Sequence, residues 1–226
     1  EMCGRDWSSD VCSSDLYKAV NVHASLLPKL RGGSPLHRCI IDGYSETGVT
    51  IMYMAPGMDD GDIITQKSIK IEDTDNVGTI HDKLSILGRD LLFETLPSIF
   101  NGTNGRTRQD ENEVTFAYNI KREEEKLDFN EKAREVFNHI RGMYPFPVSY
   151  TTLNGEIIKI CESKIGTKTS GTVGEIISIY DNGIGVKCSD TEIIITKLKP
   201  SGKKEMTARD FINGRDKDKL LGEKLC

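Results

Sequence analysis

Apolar residues recur along this chain at two periods. Leu36, Cys39 and Ile40 follow Ser34-Pro35 and precede Gly43. A capping serine, a proline in the first turn and a glycine stop around helical spacing predict a short helix. Val77, Ile80, Leu84, Leu87, Leu91 and Leu92 form a longer helical stripe, capped by Asp73 or Asp75 and ending near Pro97. A third helix is predicted from Asn130 to Met143, with Ala133, Val136, Phe137 and Ile140 in phase before Pro145-Phe146-Pro147. Period-two alternation marks strands. Thr47 to Met54 is largely apolar on both faces, as in a strand covered on both sides, and Ile63 to Ile71 alternates more weakly. Tyr17 to Val22 is a short apolar run that ends at an amide and an imidazole, Asn21 and His23, before a Pro/Gly-punctuated loop.

The C-terminal third is rich in strands. Val148 to Leu153 and Ile157 to Cys161 flank Asn154-Gly155, a strong hairpin signal. Thr172 to Tyr180, Ile184 to Cys188 and Glu192 to Leu198 follow, and five short strands in this space favour a small closed barrel. Thr207 to Asp210 reads as a capping box opening a last helix. Polar, glycine-rich Asn101 to Gln109 and the charge run Lys121 to Lys126 place a domain boundary between 105 and 130. The expected layout is an α/β domain over 17–110, a linker with a helix over 111–143, and a β-rich domain over 144–226.

Residues 1–16 have neither period and repeat a Ser-Ser-Asp-Val/Leu unit, so they are expected to be a non-native segment. A doubly wound domain needs several βα units before its central strand. With that segment set aside, the first half of such a domain is expected to be absent.

Composition narrows the class. A hydrophobic content of 37% with 29% charged residues describes an ordinary globular protein, and the net charge of -5 gives no general affinity for nucleic acid. Six scattered cysteines without CxxC spacing suggest neither a zinc site nor a disulfide framework, and fit a reducing cytosol with Cys39, Cys161 and Cys188 as apolar filler. No apolar run approaches the roughly 20 residues of a membrane-spanning helix. The charge is unevenly spread: Lys197 to Cys226 holds nine Lys and Arg against five Asp and Glu, a surplus of four.

Asn21-Val22-His23, Ser25-Leu26-Leu27-Pro28, Arg31-Gly32 and the run Met58-Asp59-Asp60-Gly61-Asp62 together resemble the formyltransferase family that uses 10-formyltetrahydrofolate. Pro200 to Gly214 is similar to the end of the branch that formylates methionine on initiator tRNA. The resemblance runs from about Tyr17 to the C-terminus. It implies the C-terminal part of a doubly wound, Rossmann-like domain followed by an OB-like barrel, with 10-formyltetrahydrofolate as co-substrate and no metal. Formyl transfer to an amine needs a polarised formyl oxygen, a stabilised oxyanion and a route for the amine proton. By resemblance Asn21 donates to the formyl oxygen, His23 stabilises the oxyanion, and Asp59 orients His23 or relays the proton. Asp60 departs from the small polar residue usual there and is expected to be solvated, and Asp62 is expected to cap the turn. Ser25, Leu26, Leu27 and Pro28 would line the folate pocket, although Leu-Leu-Pro reads equally as a core-anchored loop. His37, His81 and His139 have no metal-spaced partner and read as surface or structural histidines.

The partner implied is initiator methionyl-tRNA, gripped through phosphates by Lys121, Arg122, Lys203, Lys204 and Arg209, each of which reads equally as ordinary solvated surface. A monomer in bacterial cytosol, or in an organelle, is expected. Two other readings remain: a formyltransferase for a nucleotide-linked sugar amine or glycinamide ribonucleotide, and a catalytically dead fragment that only binds RNA.

Overall fold

The structure is a computed structural model that describes residues 19–226. The segment 1–16 and the start of the predicted strand at Tyr17 lie outside the described residues. The chain divides into two compact units. The first holds the residues up to Arg38, Ser45–Glu72 and Ile80–Asn119; the second holds Cys39–Tyr44, Asp73–Thr79 and Ile120–Cys226.

The first unit is built on a three-stranded sheet in the order β1 (Val20–His23), β2 (Glu46–Tyr53), β3 (Ile63–Lys70). Both pairings are antiparallel, with His23 opposite Thr50 and Thr50 opposite Gln66. Between β1 and β2 lies α1 (Pro35–Ile41), which starts at the proline and stops before Gly43, as predicted. At seven residues it is shorter than the helix of a parallel crossover, so the chain returns antiparallel. The α/β character is as expected, and the named strands of this sheet run antiparallel throughout. In β2 every residue after Glu46 is buried, which accounts for its two apolar faces.

Helix α2 (Val77–Phe100) covers one face: a Cβ on Gly88 would stand 3.1 Å from Val22 and 3.6 Å from Val49. Its buried stripe includes Ile80, Leu84, Leu91, Thr95 and Ile99. Two details differ from the sequence reading. The helix runs through Pro97 to Phe100, since a proline so near the end forfeits little of the hydrogen-bond ladder. The cap is Asn76, whose carboxamide oxygen accepts from the Thr79 N–H at 3.0 Å while the Thr79 hydroxyl accepts from the Asn76 N–H. Asp75 instead accepts from the Thr79 hydroxyl, and Asp73 pairs with Arg134.

The second unit is a six-stranded antiparallel sheet. β4 (Tyr150–Leu153), β5 (Glu156–Ile165), β8 (Glu192–Pro200), β7 (Gly183–Lys187) and β6 (Ile176–Tyr180) follow in that order, and β9 (Met206–Thr207) pairs with β8. The β4–β5 turn has Asn154 at φ 51° and Gly155 at φ 83°, the left-handed pair that its sequence predicts. β6 begins later than predicted because Thr172 to Glu175 form a turn in which the Glu175 carboxylate accepts from the Thr172 N–H. α3 (Ala133–Met143) lies on this sheet with Ala133, Val136 and Ile140 in the core beside Ile160, Ile193 and Ile195. α4 (Ala208–Asn213) opens on the expected Thr207 cap, and α5 (Lys217–Leu220) follows it. Cys39, Cys161 and Cys188 are buried filler, and burial pushes the Cys161 and Cys188 thiols up to about 12.

Candidate active site

β1 sets Asn21 and His23 on one side of the first sheet, two residues apart. His23 is only 6% exposed, and both ring nitrogens face acceptors. Nε2 lies 3.1 Å from the Leu30 carbonyl oxygen, and Nδ1 lies 3.6 Å from Asp59 Oδ2. A carbonyl only accepts, so Nε2 carries the proton of that hydrogen bond. The Asn21 carboxamide makes no hydrogen bond to the described residues.

Asp59 is held from three directions. Its Oδ2 accepts from the Gly32 N–H at 2.8 Å. Its backbone is left-handed, at φ 49°. Its carbonyl accepts from Gln109 Nε2 at 2.7 Å, and the same nitrogen donates to the Gly61 carbonyl at 2.8 Å. Gly61 has to be glycine, since a Cβ there would lie 1.8 Å from the Tyr53 carbonyl oxygen. Gln109 Oε1 in turn accepts from Arg31 Nε at 3.0 Å, and the Arg31 guanidinium pairs with Glu111 at 3.0 Å. Arg31 is 5% exposed, so this chain of polar groups runs from the interior out to the exposed Glu111 and fixes the loop that carries Leu30 and Gly32.

The loop Ser25 to Leu30 is fastened to the sheet face opposite α2. The Thr50 hydroxyl donates to the Ser25 carbonyl at 2.6 Å and accepts from the Leu27 N–H, and Gln66 donates to the Leu27 carbonyl at 2.8 Å. Ser25 Oγ closes the loop on the Lys29 carbonyl. Ser25 and Leu27 are buried, while Leu26 and Pro28 are half-buried. The core-anchored reading of this loop is therefore correct for Ser25 and Leu27, and Leu26 and Pro28 keep surface for a ligand.

The structure thus brings His23 and Asp59 together, with Asn21 on the same strand. Asp60 is not simply solvated: its Oδ1 is buried without a hydrogen-bond partner among the described residues. Asp62 does not cap the turn with its carboxylate, which pairs with Arg106 at 2.8 Å. His81 is exposed beside Asp82, and His139 is structural, bonded to the Glu124 carbonyl and the Ser149 hydroxyl. Lys121, Arg122, Lys203, Lys204 and Arg209 are all exposed on the second unit. Sequence reasoning missed Gln109 and Glu111. Arg31 belonged to a recognisable motif, but nothing in the polar stretch 101–113 marks the residue that ties it to Asp59.

Known proteins share this sequence and this fold. A sequence-family profile described as formyl transferase matches residues 3–96, and one described as formyl transferase, C-terminal domain, matches residues 119–216. A methionyl-tRNA formyltransferase of Staphylococcus aureus strain MW2 is 50% identical over 209 residues, covering 92% of this chain and 67% of the relative. Among solved structures, HypX from Aquifex aeolicus in complex with tetrahydrofolic acid superposes with a TM-score of 0.66 at 16% identity. That match covers 87% of this chain but only 35% of HypX. WlaRD, a sugar 3N-formyl transferase in the presence of dTDP and 5-N-formyl-THF, gives a TM-score of 0.64 at 22% identity, over 82% of this chain and 66% of that one. Both structural likenesses speak for the fold.

Proposed function

The chain belongs to the formyl transferase family, and from that premise we propose that it transfers the formyl group of 10-formyltetrahydrofolate to the amino group of methionine on initiator tRNA. The observation that carries the reading is the 50% identity, over nearly the whole chain, to an enzyme of that activity. The sugar-amine alternative has weaker support, from solved structures at 22% and 30% identity that cover 82% and 58% of this chain.

The co-substrate supplies an activated formyl group, and the chain's own residues bind and orient it. The donor set fits this task. Asn21, whose carboxamide makes no hydrogen bond to the described residues, donates to the formyl oxygen. Asp59, with 21% of its side chain exposed, accepts the proton that leaves the attacking amine and returns it to N10 as the formyl carbon–N10 bond breaks, releasing tetrahydrofolate. His23, with Nδ1 3.6 Å from Oδ2, packs against Asp59 and helps to position its carboxylate. A substrate oxygen that replaces the Leu30 carbonyl as acceptor of the Nε2 proton turns a structural hydrogen bond into stabilisation of developing negative charge. Leu26 and Pro28 are the loop residues with surface left for the folate, while Ser25 and Leu27 hold the loop in place.

We read the second unit as an OB-like, tRNA-binding module. Its six antiparallel strands and the register shifts in β5 near Glu162, which allow a strand to bend, support this. Lys121, Arg122, Lys203, Lys204 and Arg209 are its phosphate contacts. Action in bacterial cytosol, as a monomer, fits the bacterial relatives and the free cysteines among the described residues.

The test is formylation of methionyl initiator tRNA by the purified chain and by Asn21→Ala, His23→Ala and Asp59→Asn. Each substitution is expected to lower kcat by about 10²- to 10⁴-fold, the usual worth of a positioned acid, base or donor. A folded protein that leaves methionyl-tRNA untouched while formylating a sugar amine would overturn the reading.

A further inference from the structure

Two aromatic rings beside the candidate site serve no core. Phe116 is 45% exposed and Tyr118 is 61% exposed, yet the rings are ordered against each other with centroids 5.5 Å apart and planes within 15°. Single exposed aromatics are common; a stacked pair is a flat apolar surface of the kind that receives a ligand.

The backbone ties this pair to the catalytic loop. The Arg31 N–H donates to the Thr115 carbonyl at 2.9 Å, the Ala117 N–H to the Arg31 carbonyl at 2.7 Å, and the Ser34 N–H to the Ala117 carbonyl at 3.0 Å. The Leu30 N–H donates to the Thr115 hydroxyl at 2.9 Å. The segment 115–117 therefore lies beside Leu30 to Ser34 as a short parallel pairing, with Phe116 opposite Arg31. Leu30 and Gly32 are the residues whose backbone groups hold His23 and Asp59. Phe116 is thus one strand spacing, about 4.8 Å in backbone, from the stretch that positions the catalytic pair. Met58, 56% exposed and next to Asp59 in sequence, adds apolar surface: its sulfur comes within 3.5 Å of where a Cβ on Gly32 would be. Positive charge accompanies the rings. Arg38 donates to the Tyr118 carbonyl at 3.3 Å, and Lys29 is exposed on the loop before Leu30.

We infer that Phe116 and Tyr118 form the stacking platform for the unpaired 3′-terminal nucleobase of the acceptor RNA, with Lys29 and Arg38 facing its phosphates. The inference rests on the proposed substrate. In an aminoacylated RNA the reacting amine and the terminal base belong to one residue, separated only by the aminoacyl group and a ribose. A base held next to the catalytic loop therefore places that amine at His23 and Asp59. Proteins grip single-stranded ends by stacking unpaired bases on aromatic rings, which is tolerant of sequence and suits an end common to many RNAs.

The test uses methionyl-tRNA carrying 2-aminopurine in place of the terminal nucleobase, whose fluorescence falls when it stacks. Binding to the wild-type chain is expected to quench it. Phe116→Leu with Tyr118→Leu keeps apolar bulk at two exposed positions, so folding is preserved while quenching is lost. The KM for methionyl-tRNA is then expected to rise about tenfold or more, the usual effect of losing a stacked base, with the KM for 10-formyltetrahydrofolate unchanged. Phe116→Tyr with Tyr118→Phe is expected to behave as wild type. Equal quenching in wild type and the leucine variant would overturn the platform. So would a rise in the folate KM alone, which would assign the rings to the co-substrate. Quenching by a wild-type chain that formylates nothing would support the platform while overturning the proposed activity.

Discussion

At the scale of single residues, the site depends on one side chain that no motif announces. Gln109 spends both ends of its amide in the interior, donating to the Asp59 and Gly61 carbonyls and accepting from Arg31. Replacing it with alanine leaves a buried carbonyl, a half-buried carbonyl and part of a buried guanidinium without this partner, at a cost of about 2–4 kcal/mol. Because Asp59 depends on that amide for its left-handed backbone, Gln109→Ala is also expected to lower kcat. Gln109→Glu should recover less than Gln109→Asn, since a carboxylate cannot donate to the two carbonyls. Thermal unfolding and formylation kinetics on the three variants check this. Asn21, His23 and Asp59 stand out as candidates in the sequence because each sits in a short contiguous motif at a strand end or tight turn. Gln109 acts on Asp59 from 50 residues away through a hydrogen bond, and hydrogen-bond partnership at that separation leaves no periodicity to read.

At the scale of elements, apolar spacing located the longer helices and strands, with errors at their ends, while β9 and α5 are too short to show a period. Ends are set by polar side chains that find partners only in the fold. Asn76 caps α2 because Asp73 is drawn to Arg134 and Asp75 to Thr79, both of which are pairings across turns or between elements. The same holds for α3, which was expected from Asn130 and starts at Ala133. Its first N–H is taken by a residue 57 positions away: Asp190 Oδ1 accepts from the Ala133 N–H at 2.8 Å. That bond, with others to backbone N–H groups, holds the Asp190 carboxyl below its ordinary value. A carboxylate stabilised in the folded state contributes stability above its unfolded pKa, near 3.9, and loses it as pH falls through the lowered folded value. Asp190→Ala is therefore expected to cost about 1 kcal/mol at neutral pH, a typical helix-cap loss. The gap from wild type should close as acid protonates the wild-type carboxyl. Denaturant unfolding across pH 2 to 7 measures it, and a gap independent of pH would show that packing rather than charge is lost.

At the scale of the whole molecule, the sequence indicated two domains but not how their segments are shared. Composition marks one boundary, between 105 and 130, and the second unit takes up the chain from Ile120. It also includes Cys39–Tyr44, at the end of α1, and Asp73–Thr79, which leads into α2 and in which Asp73 bonds to Arg134 of α3. Contacts of that kind are invisible to composition. Charge is the property best judged over the whole chain. A protein with a net charge of -5 should repel a polyanion, so binding of tRNA has to come from local cations released from their counterions. Lys203 and Lys204 stand exposed in the turn after β8, where their ammonium groups are in solvent. If they meet phosphates, the logarithm of the tRNA affinity falls linearly with the logarithm of salt, and Lys203→Ala or Lys204→Ala each reduces the slope by about 1. The same substitutions leave the KM for the folate co-substrate unchanged. Tyr118→Leu, acting through stacking instead, should weaken tRNA binding with little change of slope. A salt slope that both lysine variants leave intact would remove this turn from the RNA interface and move the cationic contacts to Lys121, Arg122 and Arg209.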